Sequence, residues 1–529
     1  MDELLSQLLS FPPFPEDPEM TDAEYDTSMR SLVSALIKTP ASLLAGDFPG
    51  GNNLLDTLDP HANSVPYLYT LLAHMNATQT RSGKSPINVQ LNHIGISPLS
   101  PLWSSMVSFL KRFDSKQVRY AGNEFRLLIE TVARSARLFG KPLLAIHPIR
   151  TAILRLDPSS ATFTSTHALF VSLCLQARAF RAAIPVLDKD ILGFPSMPPP
   201  AGAGLLSSLT ESSSTYITVS SGLSDFLKST DLLEYHLHGA MIYIGLKKWE
   251  RAIQFLSLVI STPTQNVASA VMVEAYKKWI LVCLLYNGIT LPIPKSANPS
   301  AVKSYRILGK AYERVAELFR AGDLSKLRAE VEAGREVWSS DCNTGLMKLV
   351  LAAFPQFSIR NLEKVYSTLS IPQIHQRLHA KIKPTTPNAS EIRATEAEIL
   401  SMIDSGTLNA TLAHPASQST TLSPPAAPTV LHFSPPRISE AAQLAEVEEQ
   451  IQRTIEVTKH IRGVDRRMEN SKEYLTWLAR MRMSARKNDE ADAGGSGGPG
   501  MGGDAMDMDW EEGPAEADED MMAGVHGGE

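Results

Sequence analysis

Two stretches of the chain repeat one another. Ser172–Leu187 reads SLCLQARAFRAAIPVL and Met241–Leu256 reads MIYIGLKKWERAIQFL. In each, an apolar run meets a short basic break, then an aromatic residue (Phe180, Trp249), then Ala183-Ile184 or Ala252-Ile253. This is the pattern of a helical hairpin: small residues let the second helix lie close to the first, and the aromatic covers the turn. A poorer copy spans Tyr312–Val331, where Gly322-Asp323 is expected to end one helix and cap the next.

Hairpins of this tetratricopeptide-like kind bury their apolar faces only by stacking. With the helical pattern over Phe125–Leu156 they predict an all-α fold, an α-solenoid of TPR-like helical repeats over residues 101–340, preceded by an N-terminal helical region, 1–100. A plain helical bundle with a chance similarity is the alternative, and it too is all-α. A length of 529 residues leaves room for about three or four folding units. Clusters of Pro, Gly and Ser mark breaks at Phe11–Glu19, Gly193–Ser214, Leu291–Ser300, Ala413–Pro428 and beyond Lys487.

After Thr344 the pattern changes. Leu346–Phe354, Ile359–Tyr366, Ser370–Leu378 and Ser390–Asp404 read as four helices, with Ser370 and Ser390 as N-caps and Gly406 as a stop. In Thr407–Leu412 the residues Leu408, Ala410 and Leu412 alternate with polar ones, the period of a half-buried strand. Thr429–Phe433 reads as its partner across a long Pro/Ser/Thr-rich loop. Helices followed by such a hairpin predict a winged helix over 341–436. Residues 437–487 then form a last helix: from Ile438 to Lys487 there is no proline, and Gly463 is where a kink is expected. Leu444, Val447, Ile451, Ile455, Ile461, Val464, Met468, Leu475 and Leu478 recur at near three- and four-residue steps. That stripe is too long to be hidden by the winged helix, so it calls for a partner helix.

Charge separates the tail from the rest. The net charge of -6 combines thirteen carboxylates and no Lys or Arg in 489–529 with a body, 1–488, near +7. The stretch 488–529, rich in Gly, Met and acid, reads as a solubilising disordered end, although Met506-Asp-Met508-Asp-Trp510-Glu-Glu512 interleaves apolar residues with carboxylates as a docking motif does. Cys174, Cys283 and Cys342 form no CxxC pair, which argues against a disulfide framework or zinc module and for a reducing compartment. Asp2 and Glu3 stand where an export signal carries cations. The longest apolar run, Trp279–Tyr286, is eight residues, against roughly 20 for a membrane-spanning helix. A soluble protein of cytoplasm and nucleus is expected.

Catalytic patterns are weak. Glu234-Tyr-His236-Leu-His238 resembles the HxH of metal-dependent isopeptidases, but Leu246 and Trp249 occupy the positions where those enzymes carry the Ser and Asp that serve the metal-bound water. Residues two apart on a helix also point about 200° apart, so no metal and no cofactor is expected there. No phosphate loop, dinucleotide fingerprint or nucleophile elbow occurs. A winged helix invites nucleic acid, yet Ser390–Asp404, the helix that would enter a groove, sets Glu391, Glu396, Glu398 and Asp404 against Arg393 alone. The cations Arg360, Lys364, Arg377, Lys381 and Lys383 flank other helices. No catalytic residue, nucleic acid or membrane partner is expected.

Helical repeats, a winged helix and a long final helix, in that order, resemble the PCI family of the proteasome lid, the COP9 signalosome and translation initiation factor three. Ser165–Ile191, Met241–Pro263 and Val273–Val282 resemble subunit 3 of the signalosome specifically, and Asn361–Ser370 and Glu396–Gly406 are similar to that family's winged helix. The similarity spans roughly residues 100–480. It stops at the Pro-rich insert near 195–214, the wing loop and the acidic tail. The resemblance implies a non-catalytic scaffold in the hetero-oligomeric complex that removes NEDD8 from cullins and so reaches cullin-RING ligases indirectly. A lid or initiation-factor scaffold is the alternative. It also implies that winged helices join edge to edge and that C-terminal helices form a bundle. The candidate interface residues are then Leu408, Ala410, Leu412, Val430 and Phe433 in the wing, and Val447, Ile451, Ile461, Met468, Leu475 and Leu478 on the last helix.

Overall fold

A computed structural model describes residues 21–46, 53–80, 95–195, 213–263, 268–379, 389–413, 429–434, 440–469 and 474–483, with residues 8, 9 and 206. Lys381, Lys383, the acidic tail, most of the wing loop and much of the Pro-rich insert lie outside them.

The two copies of the repeat are helical hairpins with one turn geometry. Ser165–Gln176 pairs with Phe180–Leu187, and Ser229–Gly245 with Trp249–Ser261. At the turns Arg178 and Lys247 take left-handed backbone, φ 52° and 58°. Ala179 N–H then donates to Cys174 O at 2.9 Å, and Lys248 N–H to Tyr243 O at 2.9 Å. The same six-to-one bond therefore closes both helices. Ala183 and Ala252 are fully buried where the helices cross. The third copy follows suit: Lys310–Ala321 ends at Gly322, φ 70°, and Asp323 caps Leu324–Ala333 by accepting from Lys326 N–H at 3.1 Å.

Neighbouring helices stack in chain order, and one continuous apolar core runs from Leu8 to Phe354. The described chain is helical well before residue 101: Asp22–Lys38, opened by a capping box at Thr21, and Ser64–Thr80 contribute Met29, Leu32, Leu68 and Leu71 to that core. The fold is an all-α solenoid of helical repeats.

The second core belongs to a smaller unit, and one helix serves both. Thr344–Glu363 runs unbroken where the sequence suggests two helices, Leu346–Phe354 and Ile359–Tyr366, on either side of Pro355. An internal proline costs about 3 kcal/mol. Leu346, Met347, Val350 and Phe354, buried in the first core, and Ile359, buried in the second, each contribute roughly 1.5–3 kcal/mol and outweigh it.

Beyond this helix the order is strand β1 (Thr368–Ser370), helix Ile371–His379, helix Ala389–Asp404, strand β2 (Ala410–Ala413) and strand β3 (Val430–Phe433). The sheet order is β1-β3-β2, antiparallel throughout, the order expected of a winged helix. Fully buried Leu431 pairs with Leu369 on one side and Leu412 on the other. His375 Nδ1 and Thr395 Oγ1, 2.8 Å apart, tie the two helices together. The sequence does not reveal β1, and it places β2 three residues early: Thr407 and Leu408 form the turn that closes the preceding helix, both backbone N–H groups donating to Met402 O. The final helix spans Glu440–Glu469, running through Gly463 without interruption, and residues 474–483 are helical again.

Candidate subunit-docking elements

The histidine pair does not converge on one point. It lies in the middle of Ser229–Gly245, where His236 packs its ring against Phe255 at 5.5 Å and offers Nδ1 to Leu232 O at 2.9 Å. His238 instead lines a surface groove of about 330 Å³ together with Arg137, Asp231 and Glu234. Burial pushes both histidines below their ordinary pKa. Among the described residues no group of three or more His, Cys, Asp or Glu side chains is placed to hold a metal ion. Cys174 and Cys283 are buried, their thiols pushed up to about 12 by burial.

In the wing, the candidate side chains turn mostly inward. Leu408 and Ala410 are buried in the winged-helix core, and half-buried Leu412 and Phe433 pack against it. Val430 is half-buried opposite Ala413 and Ser370. What the wing presents outward is backbone together with the side chains of Thr411, Ala413 and His432. Among the described residues β3 is paired on both sides, whereas β1 and β2 are the outer strands, with a neighbour on one side only. β2 carries exposed Thr411 and Ala413, and strand addition is the mode by which another chain would pair with such an outer strand.

The last helix differs in kind. Val447, Ile451, Ile461, Met468 and Leu475 are each 50–55% exposed, and Leu478 is half-buried. Leu444, Ile455 and Val464 extend the stripe. Trp477, Met481 and Met483, which are absent from the sequence candidates, are also exposed; Trp477 and Met481 stand four residues apart, and that spacing is the signal. Thr458 fills the gap between Ile455 and Ile461 and donates its hydroxyl to Thr454 O at 2.8 Å. The helix meets the solenoid through Arg453, whose Nε lies 2.9 Å from Asp190 Oδ2. An exposed pair of that kind contributes at most about 1 kcal/mol, too little to seat a stripe of this length.

Residues 26–301 match the family model for the N-terminal helical repeats of COP9 signalosome complex subunit 3. A protein of that description from Emericella nidulans is 35% identical over 425 residues, covering 80% of this chain and 82% of the relative. The chain belongs to the COP9 signalosome subunit 3 family. The Neurospora crassa subunit 3 is 27% identical, over 75% of this chain and 78% of its own. The Arabidopsis thaliana subunit 3 is 25% identical, over 84% and 88%. The family's repeat region begins near residue 26, in line with the helices already packed into the first core ahead of residue 101.

Proposed function

We propose that the chain is a non-catalytic scaffold subunit of a COP9 signalosome, the complex that removes NEDD8 from cullins. It works among the other subunits of that hetero-oligomer, in cytoplasm and nucleus, and meets cullin-RING ligases only through them. The observation that carries this reading is the stripe on Glu440–Glu469 and 474–483. So many large apolar side chains about half exposed along one helix mark a surface that other helices cover in an assembly. The outer strand β2 supplies a second joint by strand addition.

Several features favour protein partners over other targets. His236 and His238 face different surroundings, so the pair lends no support to a catalytic metal site. The acidic helix Ala389–Asp404 suits neither phosphate backbone nor base edges. No described helix is long and apolar enough to cross a membrane. The test is to express the chain without residues 440–483 in cells and identify what co-purifies. The expected result is loss of the other signalosome subunits while the truncated chain still melts cooperatively. Retention of the full set at normal stoichiometry overturns the reading of this helix.

A further inference from the structure

The stretch 131–156 holds five Lys and Arg and no carboxylate. It makes up the end of helix Gly122–Leu138, a turn, and helix Leu143–Leu156. The carboxylates on either side of it are engaged elsewhere: Glu130 lies 2.8 Å from Arg126, and Asp157 accepts from the N–H groups of Ser159 and Ala161 at 3.0 and 3.1 Å. Arg137 donates to two neutral acceptors, Gln176 Oε1 at 3.0 Å and Ser172 Oγ at 3.1 Å. Loss of hydration, and then the positive charges of Arg150 and Lys111, push exposed His147 below its ordinary pKa. Lys111 belongs to another helix, Pro101–Arg112, so cations of two helices meet beside His147.

The turn between Gly122–Leu138 and Leu143–Leu156 departs from its neighbours in what it exposes. Gly140, φ 65°, and a bond from Lys141 N–H to Ala136 O at 2.8 Å close it by the same six-to-one geometry as the turns at Arg178 and Lys247. Those turns carry Gln176, Arg181 and Ala182 in one case and Gly245, Glu250 and Arg251 in the other; this one carries Leu138, Leu143 and Leu144 at the equivalent positions. The hairpin geometry itself therefore does not call for leucine there. Together with Phe139 the three side chains are 44–63% exposed, an apolar cluster inside a basic rim.

We propose that this turn and the outer ridge of Leu143–Leu156 form a docking surface for an acidic amphipathic helix of another polypeptide. The surface is separate from the wing and the last helix and does not depend on their role. Charge complementarity selects an anionic partner. The apolar cluster selects a polypeptide, because a phosphate backbone leaves those four side chains uncovered. Half-packed against their own hairpin, they also cannot reach into a bilayer. Spacing selects a helix: Leu143 and Leu144, His147 and Arg150 follow one another at three- to four-residue steps, with Arg150 about 10 Å along the axis from Leu143. A helix lying along this ridge sets apolar side chains against the leucines and, two turns farther on, a carboxylate against Arg150 and Lys111.

The test places photoreactive benzoylphenylalanine at Leu143 of the full chain in cells and sequences the crosslinked peptides by mass spectrometry. The expected product is one stretch of another protein, with apolar side chains at three- and four-residue steps and a clear excess of carboxylates over cations. Lys111→Glu combined with Lys141→Glu should cut its yield roughly tenfold by turning two attractions into repulsions. Both side chains are exposed, so the thermal midpoint should hold; if the double variant nevertheless melts early, Lys141→Glu alone carries the comparison. Links to this chain itself, to lipid or to nucleic acid overturn the proposal. So do a captured stretch without an acidic excess, a yield that charge reversal leaves unchanged, and the absence of any link from Leu143.

Discussion

Arg178 and Lys247 occupy equivalent turns of two successive hairpins in the same left-handed backbone conformation, φ 52° and 58°. Both side chains are exposed, so nothing but the turn itself requires them. An L-residue pays about 1–2 kcal/mol in that region, and glycine does not. Glycine in turn costs about 0.4–1 kcal/mol by widening the unfolded ensemble. The balance predicts that Arg178→Gly and Lys247→Gly each stabilise the protein by about 0.5–1 kcal/mol. Urea midpoints read this directly, and a lower midpoint for both variants would contradict the shared-turn account.

Near the C-terminal end of the solenoid, Lys277 Nζ lies 2.9 and 2.8 Å from the two carboxylate oxygens of Asp341. Tyr312 donates its hydroxyl to the same carboxylate at 2.7 Å, and Asn343 Nδ2 donates to Tyr312 at 2.9 Å. Burial alone would raise the pKa of Asp341, but hydrogen bonds from Lys277 and Tyr312 hold it below the usual carboxylate range. The charged form is therefore favoured by folding, so its contribution is complete above about pH 4 and is lost as pH falls further. Asp341→Asn leaves Lys277, only 18% exposed, without its counter-charge and should cost about 2 kcal/mol at neutral pH. The variant should also lose part of the wild-type drop in stability below pH 4. An unchanged acid limb measured by urea titration would assign that drop to other groups.

The solenoid was legible because its signals are local. The aromatic and alanine spacing around Phe180 and Trp249 reports a turn and a helix crossing within sixteen residues. The stripe on the last helix was legible for the same reason. The wing was less so. Alternation tells which of Leu408, Ala410 and Leu412 share a face, but a period of two does not say whether that face meets solvent or core; here Leu408 and Ala410 turn to the core. Strand β1 has three residues, too few to show a period, and its pairing with Val430–His432 is a contact between residues about sixty positions apart. The unbroken helix across Pro355 depends on two separate cores holding its halves, which no local pattern encodes.

His167 gives a second pH signature. It is buried, with Nε2 2.8 Å from Ser160 Oγ and Nδ1 2.7 Å from Thr164 Oγ1. Burial lowers its pKa to about 4, with the nearby Asp157 charge opposing the shift. Between about pH 6.5 and pH 4 the unfolded chain binds a proton that the folded chain does not. Stability must then fall as pH drops through that window, by on the order of 3 kcal/mol. His167→Gln, which cannot titrate, should be less stable at pH 7.5 for want of its hydrogen bonds yet show a shallower decline from pH 6.5 to pH 4. Parallel urea midpoints for the two proteins across that range would show that another group dominates.

The exposed stripe makes a demand that a structural residue would not meet. Ile451 and Ile461 are 51% and 53% exposed in the single chain. Changing both to Asp should leave the thermal midpoint nearly unmoved, since surface substitutions usually stay within about 0.5 kcal/mol. The same pair of changes should release the protein from its complex. Burying a carboxylate at a helix–helix contact typically costs at least about 2 kcal/mol, so two such sites weaken association roughly a thousandfold or more. Leu431→Asp is the contrasting control: its side chain is fully buried in the winged-helix core, and the variant should melt early for reasons unrelated to partners. If Ile451→Asp with Ile461→Asp instead lowers the midpoint by several degrees and leaves co-purification intact, the stripe packs against this chain itself, and the helix is a structural brace rather than a joint.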